Sequence, residues 1–151
     1  MTGLGSRLLP RLVLTLAAVT AAIFLTTRFI AIPWVVLGPS MEPTLLPGDR
    51  VVVDLWTYGR HRPAAGEVAL FLGPEDVPLV KRIVDGPLLD AAPFQPGAWG
   101  SVDLDEDLLE VAGDNREESS DSRRFGPVPR HRFRGRILWR YWPVSRAGRI
   151  R

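Results

Sequence analysis

The chain of 151 residues has no cysteine, two histidines and a single lysine. The first absence rules out disulfides, thiolate nucleophiles and Cys-based metal sites. The histidines, His61 and His131, lack ligand spacing to one another, which argues against a zinc site, and they are too few to favour a Ser-His-Asp arrangement. No cofactor or metal is expected. The scarcity of lysine is more telling. Of 19 basic Lys/Arg positions, only Lys81 is a lysine. Arginine stays protonated near neutral pH, whereas a desolvated lysine amine can lose its proton. A chain this committed to arginine that keeps one lysine points to a position where guanidinium fails.

Acid is also missing from one region. Nine acidic residues lie between Asp103 and Asp121, none follows Asp121, and ten Arg lie between Arg123 and Arg151. This basic tail fits either a solvated strand face with a charged terminus or a surface that meets anionic lipid. Its arginines alternate with large apolar residues rather than forming a block. Length suits one domain, and no internal repeat is evident.

Only one apolar run is long. Leu12 to Thr27 carries no charge. It falls slightly short of the roughly 20 residues a spanning helix needs. Leu8 and Leu9 before it, and Phe29 to Val36 after it, extend the apolar length if Arg11 and Arg28 snorkel. Arg7 and Arg11 favour a cytoplasmic N-terminus with the rest of the chain outside the cell membrane; Arg28 pulls the other way. A cleavable signal peptide and a buried core helix are the competing readings. No small-x-small cleavage site follows Leu25, so a retained single span is expected. This divides the chain into an anchor, residues 1–29, and a second domain, residues 30–151.

That second domain reads as short strands and frequent turns. Strand-like runs are Ile30–Leu37, Arg50–Trp56, Glu67–Leu72, Pro78–Val84 and Gly135–Trp142, with weaker ones at Ser101–Glu106 and Leu108–Ala112. Pro47-Gly48-Asp49 and Gly73–Asp76 are turn signals, and Gly86–Gly100 reads as a surface connection. The pattern predicts an all-β, antiparallel domain, sheet or barrel-like, after a single N-terminal transmembrane helix.

The chemistry centres on Gly38-Pro39-Ser40-Met41-Glu42-Pro43-Thr44-Leu45. A serine hydroxyl is a poor nucleophile until a base takes its proton. A neutral lysine amine is one such base, provided it is buried and no nearby carboxylate holds its proton on. Pro78-Leu79-Val80 and Ile83-Val84 give Lys81 an apolar strand, with Lys81 and Leu79 on one face. Taken alone, Ser40 reads sooner as a turn serine between two prolines, and Lys81 sooner as a surface charge on an edge strand.

The surrounding segments resemble the type I signal peptidase family, whose members use a Ser/Lys dyad. Gly38–Leu45 resembles its serine motif, and Gly48-Asp49-Arg50-Val51 the block that follows. Pro63-Ala64-Ala65-Gly66-Glu67-Val68 resembles the loop leading to the next strand, and Val80–Val84 the lysine motif. Gly113–Arg123 with Phe125–Pro129 resembles the last motif. The resemblance runs from about Val35 to Pro143, five blocks in order.

It implies a membrane-bound serine endopeptidase that removes signal peptides from exported pre-proteins after small residues. Ser40 would be the nucleophile and Lys81 the general base. Ser119 would orient the Lys81 amine, Asp121 and Arg123 would form a supporting ion pair, and Met41 would pack beneath the nucleophile. The Ser40 backbone N–H would serve the oxyanion hole. Some members carry a hydroxyl residue two places before the nucleophile as a second oxyanion donor; here that residue is Gly38, and the second donor is unassigned. Larger bacterial members insert an extra β-domain between the lysine and last motifs, so this chain is similar in size to the mitochondrial inner-membrane peptidases. The endoplasmic-reticulum type, with His at the position of Lys81, is disfavoured.

The expected partners are pre-protein signal peptides and membrane lipid, with no nucleic acid, and the chain is expected to be a monomer. Trp34, Trp139 and Trp142 are candidates for interfacial anchors, with core packing favoured for Trp139. The competing functions are a maturation protease dedicated to one precursor, a self-cleaving regulator fused to a DNA-binding domain, and a membrane-tethered β-domain without activity. The apolar start and the lack of a recognition helix disfavour the regulator.

Overall fold

A computed structural model describes residues 5–29, 31–86, 88, 92–93, 99 and 107–151. Helix α1 (Gly5–Phe29) contains the charge-free run. The elements after it are β1 (Ala31–Val35), β2 (Arg50–Asp54), β3 (Val68–Leu72), β4 (Pro78–Ile83), β5 (Leu108–Leu109), β6 (Val111–Ala112), α2 (Ser122–Phe125), β7 (Val128–Pro129), β8 (Phe133–Trp142) and β9 (Gly148–Arg149). Seven strands form one sheet in the order β1-β2-β8-β3-β4-β6, with β9 on β8; β5 and β7 pair separately. Every pairing is antiparallel. The domain is therefore mostly antiparallel β, as its short strand-like runs and frequent turns predict. The Ser101–Glu106 strand and most of the Gly86–Gly100 connection lie outside the described residues.

The core explains why β3 reads Val-Ala-Leu-Phe-Leu instead of alternating. Val68 and Leu70 join a cluster with Val36, Met41, Leu45, Val51, Val53 and Ile137. Ala69 and Phe71, on the other face, join Tyr58, Ile83, Trp99, Val111, Val128 and Phe133. A strand covered on both faces has no solvent side to make polar. Each large apolar side chain so buried contributes about 1.5–3 kcal/mol.

Strand β8 ties the sheet together. One edge pairs with β2. The other pairs with β3 near Gly135 and with β9 near Trp139. Ile137 faces the core, but Trp139 is half-exposed, as is Trp142. The core packing expected for Trp139 is thus corrected. It pairs with Val52, whose own neighbour across the sheet is the exposed Pro33, so it lies on the uncovered face.

From Pro10 to Leu25 every residue of α1 is exposed, including Leu14 and Phe24, so the core-helix reading fails for this stretch. Among the described residues, no helix is long and apolar enough to cross a membrane.

Candidate active site

Ser40 is the middle residue of a 3₁₀ turn, Pro39–Met41. Pro39 suits the start of that turn because φ is already fixed and no N–H needs a partner there. Ser40, next in line, has a backbone N–H that the turn's own bonding pattern does not use. Met41 is buried in the first core cluster, which fastens the turn to the sheet.

Lys81 reaches the turn from β4. Its register partner is Ala69 of the doubly covered β3, and only 3% of its surface is exposed. Its Nζ donates to Ser40 Oγ over 2.6 Å, across 41 positions of sequence. Burial disfavours the charged ammonium and lowers the Lys81 pKa; the negative charge of Asp121 works against this and raises it. A lysine far from every carboxylate is thus not what the chain builds. Desolvation is the larger of the two effects. An amine of lowered pKa in contact with a hydroxyl can accept that hydroxyl's proton.

Asp121 has no exposed surface. Arg123 grips it with Nε at 2.8 Å and Nη2 at 2.6 Å. Ser119 Oγ donates to it at 2.6 Å, and the Gly113 N–H at 2.8 Å. Burial alone would raise this carboxyl, but those bonds, together with the Arg123 backbone N–H that Asp121 caps at the start of α2, outweigh it and hold the pKa at about 2. Asp121 is therefore a permanent anion at neutral pH. Ser119 is buried, and its hydroxyl proton goes to Asp121. Among the described residues no hydrogen bond joins Ser119 to Lys81, so Asp121 is the group through which this loop acts on the amine.

Residues without a role assigned from sequence complete the frame. The Asn115 N–H donates to the Ser40 carbonyl at 3.0 Å. A Cβ on Gly113 would collide with that carbonyl and with Ser119 Oγ, so only glycine lets the loop lie this close. Arg82, beside Lys81, turns to the other side of the strand. It forks onto Asp114 with contacts of 2.9 and 2.7 Å and also donates to the Gly66 carbonyl, a structural role.

A cleft of about 200 Å³ leads to the Ser40–Lys81 pair. Trp34 to Gly38 form one wall, Pro78 to Lys81 the other, and Met41 lies at its base. Leu79 and Val80 both share this lining with Lys81. Among the described residues, β1 pairs only with β2, and β4 meets β6 only at Arg82 and Ile83. Among the described residues both walls thus keep open strand edges, which suit an extended peptide.

Comparison with known proteins agrees with this architecture. The family described as "Signal peptidase, peptidase S26" matches residues 9–87 and 91–142. The chain belongs to this family and is a signal peptidase I-like serine peptidase, a hydrolase. It is 35% identical to a probable signal peptidase I-2 of Synechocystis, over 87% of this chain and 72% of that protein. It is 31% identical to the mitochondrial ATP-independent inner membrane protease subunit 1b of Arabidopsis thaliana, over 87% and 82%. Signal peptidase IB of Staphylococcus aureus is 26% identical, over 88% and 89%.

Proposed function

We propose that this protein is a membrane-anchored endopeptidase that uses a Ser40/Lys81 dyad to remove N-terminal signal peptides from exported pre-proteins after small residues. The observation that carries this is the 2.6 Å contact between Lys81 Nζ and Ser40 Oγ, with Lys81 buried. The pre-protein's cleavage segment lies extended in the cleft between the β1 and β4 edges. Neutral Lys81 takes the Ser40 proton as Oγ attacks the scissile carbonyl. The Ser40 N–H faces the developing oxyanion, and a second donor is not assigned. Lys81 returns the proton to the leaving amine, then activates a water that hydrolyses the acyl-enzyme. Asp121, fixed by Arg123 and Ser119, tunes and orients the amine, while Met41 supports the turn from below. The cleft's modest volume, with Val36, Leu37 and Met41 on its walls, favours small side chains next to the scissile bond.

The anchor reading covers residues 1–29, and the catalytic domain residues 30–151. It rests on the uncovered apolar surface of α1. Two of its threonines bond their hydroxyls along the helix: Thr15 donates to the Leu12 carbonyl at 2.9 Å and Thr20 to the Leu16 carbonyl at 2.8 Å, the usual way such residues are accommodated in lipid. Trp139, Trp142 and Val35 lie exposed on the domain that continues from α1, a composition suited to the lipid–water interface. Arg7 and Arg11 support an N-terminus in the cytoplasm and a catalytic domain outside, against the pull of Arg28. The enzyme acts as a monomer.

The test is to incubate the detergent-solubilised protein with a panel of secretory precursors and read each cut site by mass spectrometry. Cleavage of many precursors after small residues is expected. Cleavage of one alone would make it a dedicated maturation protease, and cleavage of none, with the protein folded, would refute the proposal.

A further inference from the structure

The turn that carries Ser40 is held from behind by a buried charge cluster outside the dyad and the Asp121 network. Asp49 is 2% exposed. Its carboxylate accepts from the Leu46 N–H at 2.9 Å, from Arg140 Nη1 at 3.2 Å and from Arg146 Nη1 at 3.2 Å. Two cations and a backbone donor thus compensate one buried anion, an arrangement that stays in place because any other leaves charge unpaired. The cluster also reaches past Asp49 to the chain that follows the serine. Arg140 Nη1 donates to the Thr44 carbonyl at 2.8 Å, and Arg140 Nε to the Arg146 carbonyl at 2.5 Å.

The same aspartate is bonded to the wall of the cleft. Its carbonyl accepts from the Val36 N–H at 2.9 Å, and the Gly48 N–H donates to the Val36 carbonyl at 2.7 Å. Gly48 takes φ +88° to make this turn. Asp49 therefore lies where three pieces meet: the segment leading into Ser40, the segment leaving it, and the end of β8. Lys81 comes from β4, which pairs with β3 and also reaches the Thr44 hydroxyl through Arg82 Nη2 at 3.4 Å. How β8 holds the serine turn against the sheet therefore bears on the distance between Ser40 Oγ and Lys81 Nζ.

We propose that Asp49, Arg140 and Arg146 are positioning residues that set the Ser40–Lys81 distance through the Thr44 carbonyl. This rests on Ser40 being the nucleophile. None of the three touches Ser40 or Lys81, and their effect is on the approach geometry alone. Displacements of about 1 Å at a reacting pair cost up to roughly 100-fold in rate. Arginine is needed at position 140 because one guanidinium bonds Asp49, Thr44 and Arg146 at once, while a lysine ammonium is a single point.

The experiment is steady-state cleavage of one precursor peptide by full-length Arg140→Lys, below its melting temperature, beside wild type and Ser40→Ala. Arg140→Lys keeps the charge opposite Asp49 but gives up the fork. The expected result is kcat lowered about tenfold, with KM within about twofold and the pH midpoint of activity unmoved. Wild-type kcat overturns the proposal, as does a loss in KM alone. If Arg140→Lys does not fold, Arg146→Lys takes its place, since that side chain is more exposed. It is expected to lower kcat about threefold in the same manner, and an unchanged kcat overturns the proposal equally. Activity in Ser40→Ala would instead remove the nucleophile reading on which this one stands.

Discussion

Gly113 passes so close to Ser40 that a Cβ there would overlap the serine's carbonyl oxygen and the Ser119 side chain together. The contact joins the loop that holds Asp121 to the turn that holds the hydroxyl. Gly113→Ala must push these apart, and overpacking of this kind costs about 1–3 kcal/mol. We expect a lowered melting temperature and a loss of cleavage of about tenfold or more. At Gly38 a Cβ meets nothing within 4 Å, so Gly38→Ala should keep its stability within about 0.5 kcal/mol. Thermal melts of the two variants check the contrast.

The ionisation of Lys81 sets a pH dependence. Burial lowers its pKa below the usual lysine value, and only the neutral amine accepts a proton. Activity should rise with pH through the lowered pKa and level off above it. Asp121 raises the Lys81 pKa, so Asp121→Asn should shift the activity midpoint to lower pH. A midpoint unmoved in a folded Asp121→Asn would remove Asp121 from this role. Stability follows a separate window. Asp121 is held at about 2 when folded, below an unfolded value of about 3.9. Its contribution, roughly 2 kcal/mol, is present above the unfolded value and lost as pH falls from about 4 toward 2. Denaturant melts across that range should show the loss in wild type and a smaller one in Asp121→Asn.

The anchor reading makes a prediction about sidedness. With the N-terminus cytoplasmic, a protease added outside sealed cells should cut in the arginine-rich segment after Asp121. Protection there, with digestion of the N-terminus instead, would reverse the orientation.

Much of this was legible in the chain because strands and turns announce themselves locally. Pro47-Gly48-Asp49 marks a turn through proline and glycine, and β3 and β4 follow from their apolar runs. The single lysine carried its own signal, since of the two long basic residue types only lysine can give up its proton near neutral pH. Contacts made across the fold were not legible. Arg140 looks like any outward arginine of an alternating strand, but in the fold it bonds Asp49, from a strand whose pairing with β2 shifts in register. Trp139 looks like core until the sheet order leaves its face uncovered. Ser119 reads as a partner for Lys81, yet its hydroxyl donates its hydrogen bond to Asp121 two residues on. Such outcomes depend on which elements become neighbours, and local pattern does not encode that.

The most direct measurement is precursor cleavage by Lys81→Arg at the pH where wild type is fastest. Arginine is likewise a long basic side chain, but it does not give up its proton. The account predicts a folded protein with no detectable cleavage. Cleavage at the wild-type rate would contradict it, because an unprotonated amine at position 81 would then be unnecessary.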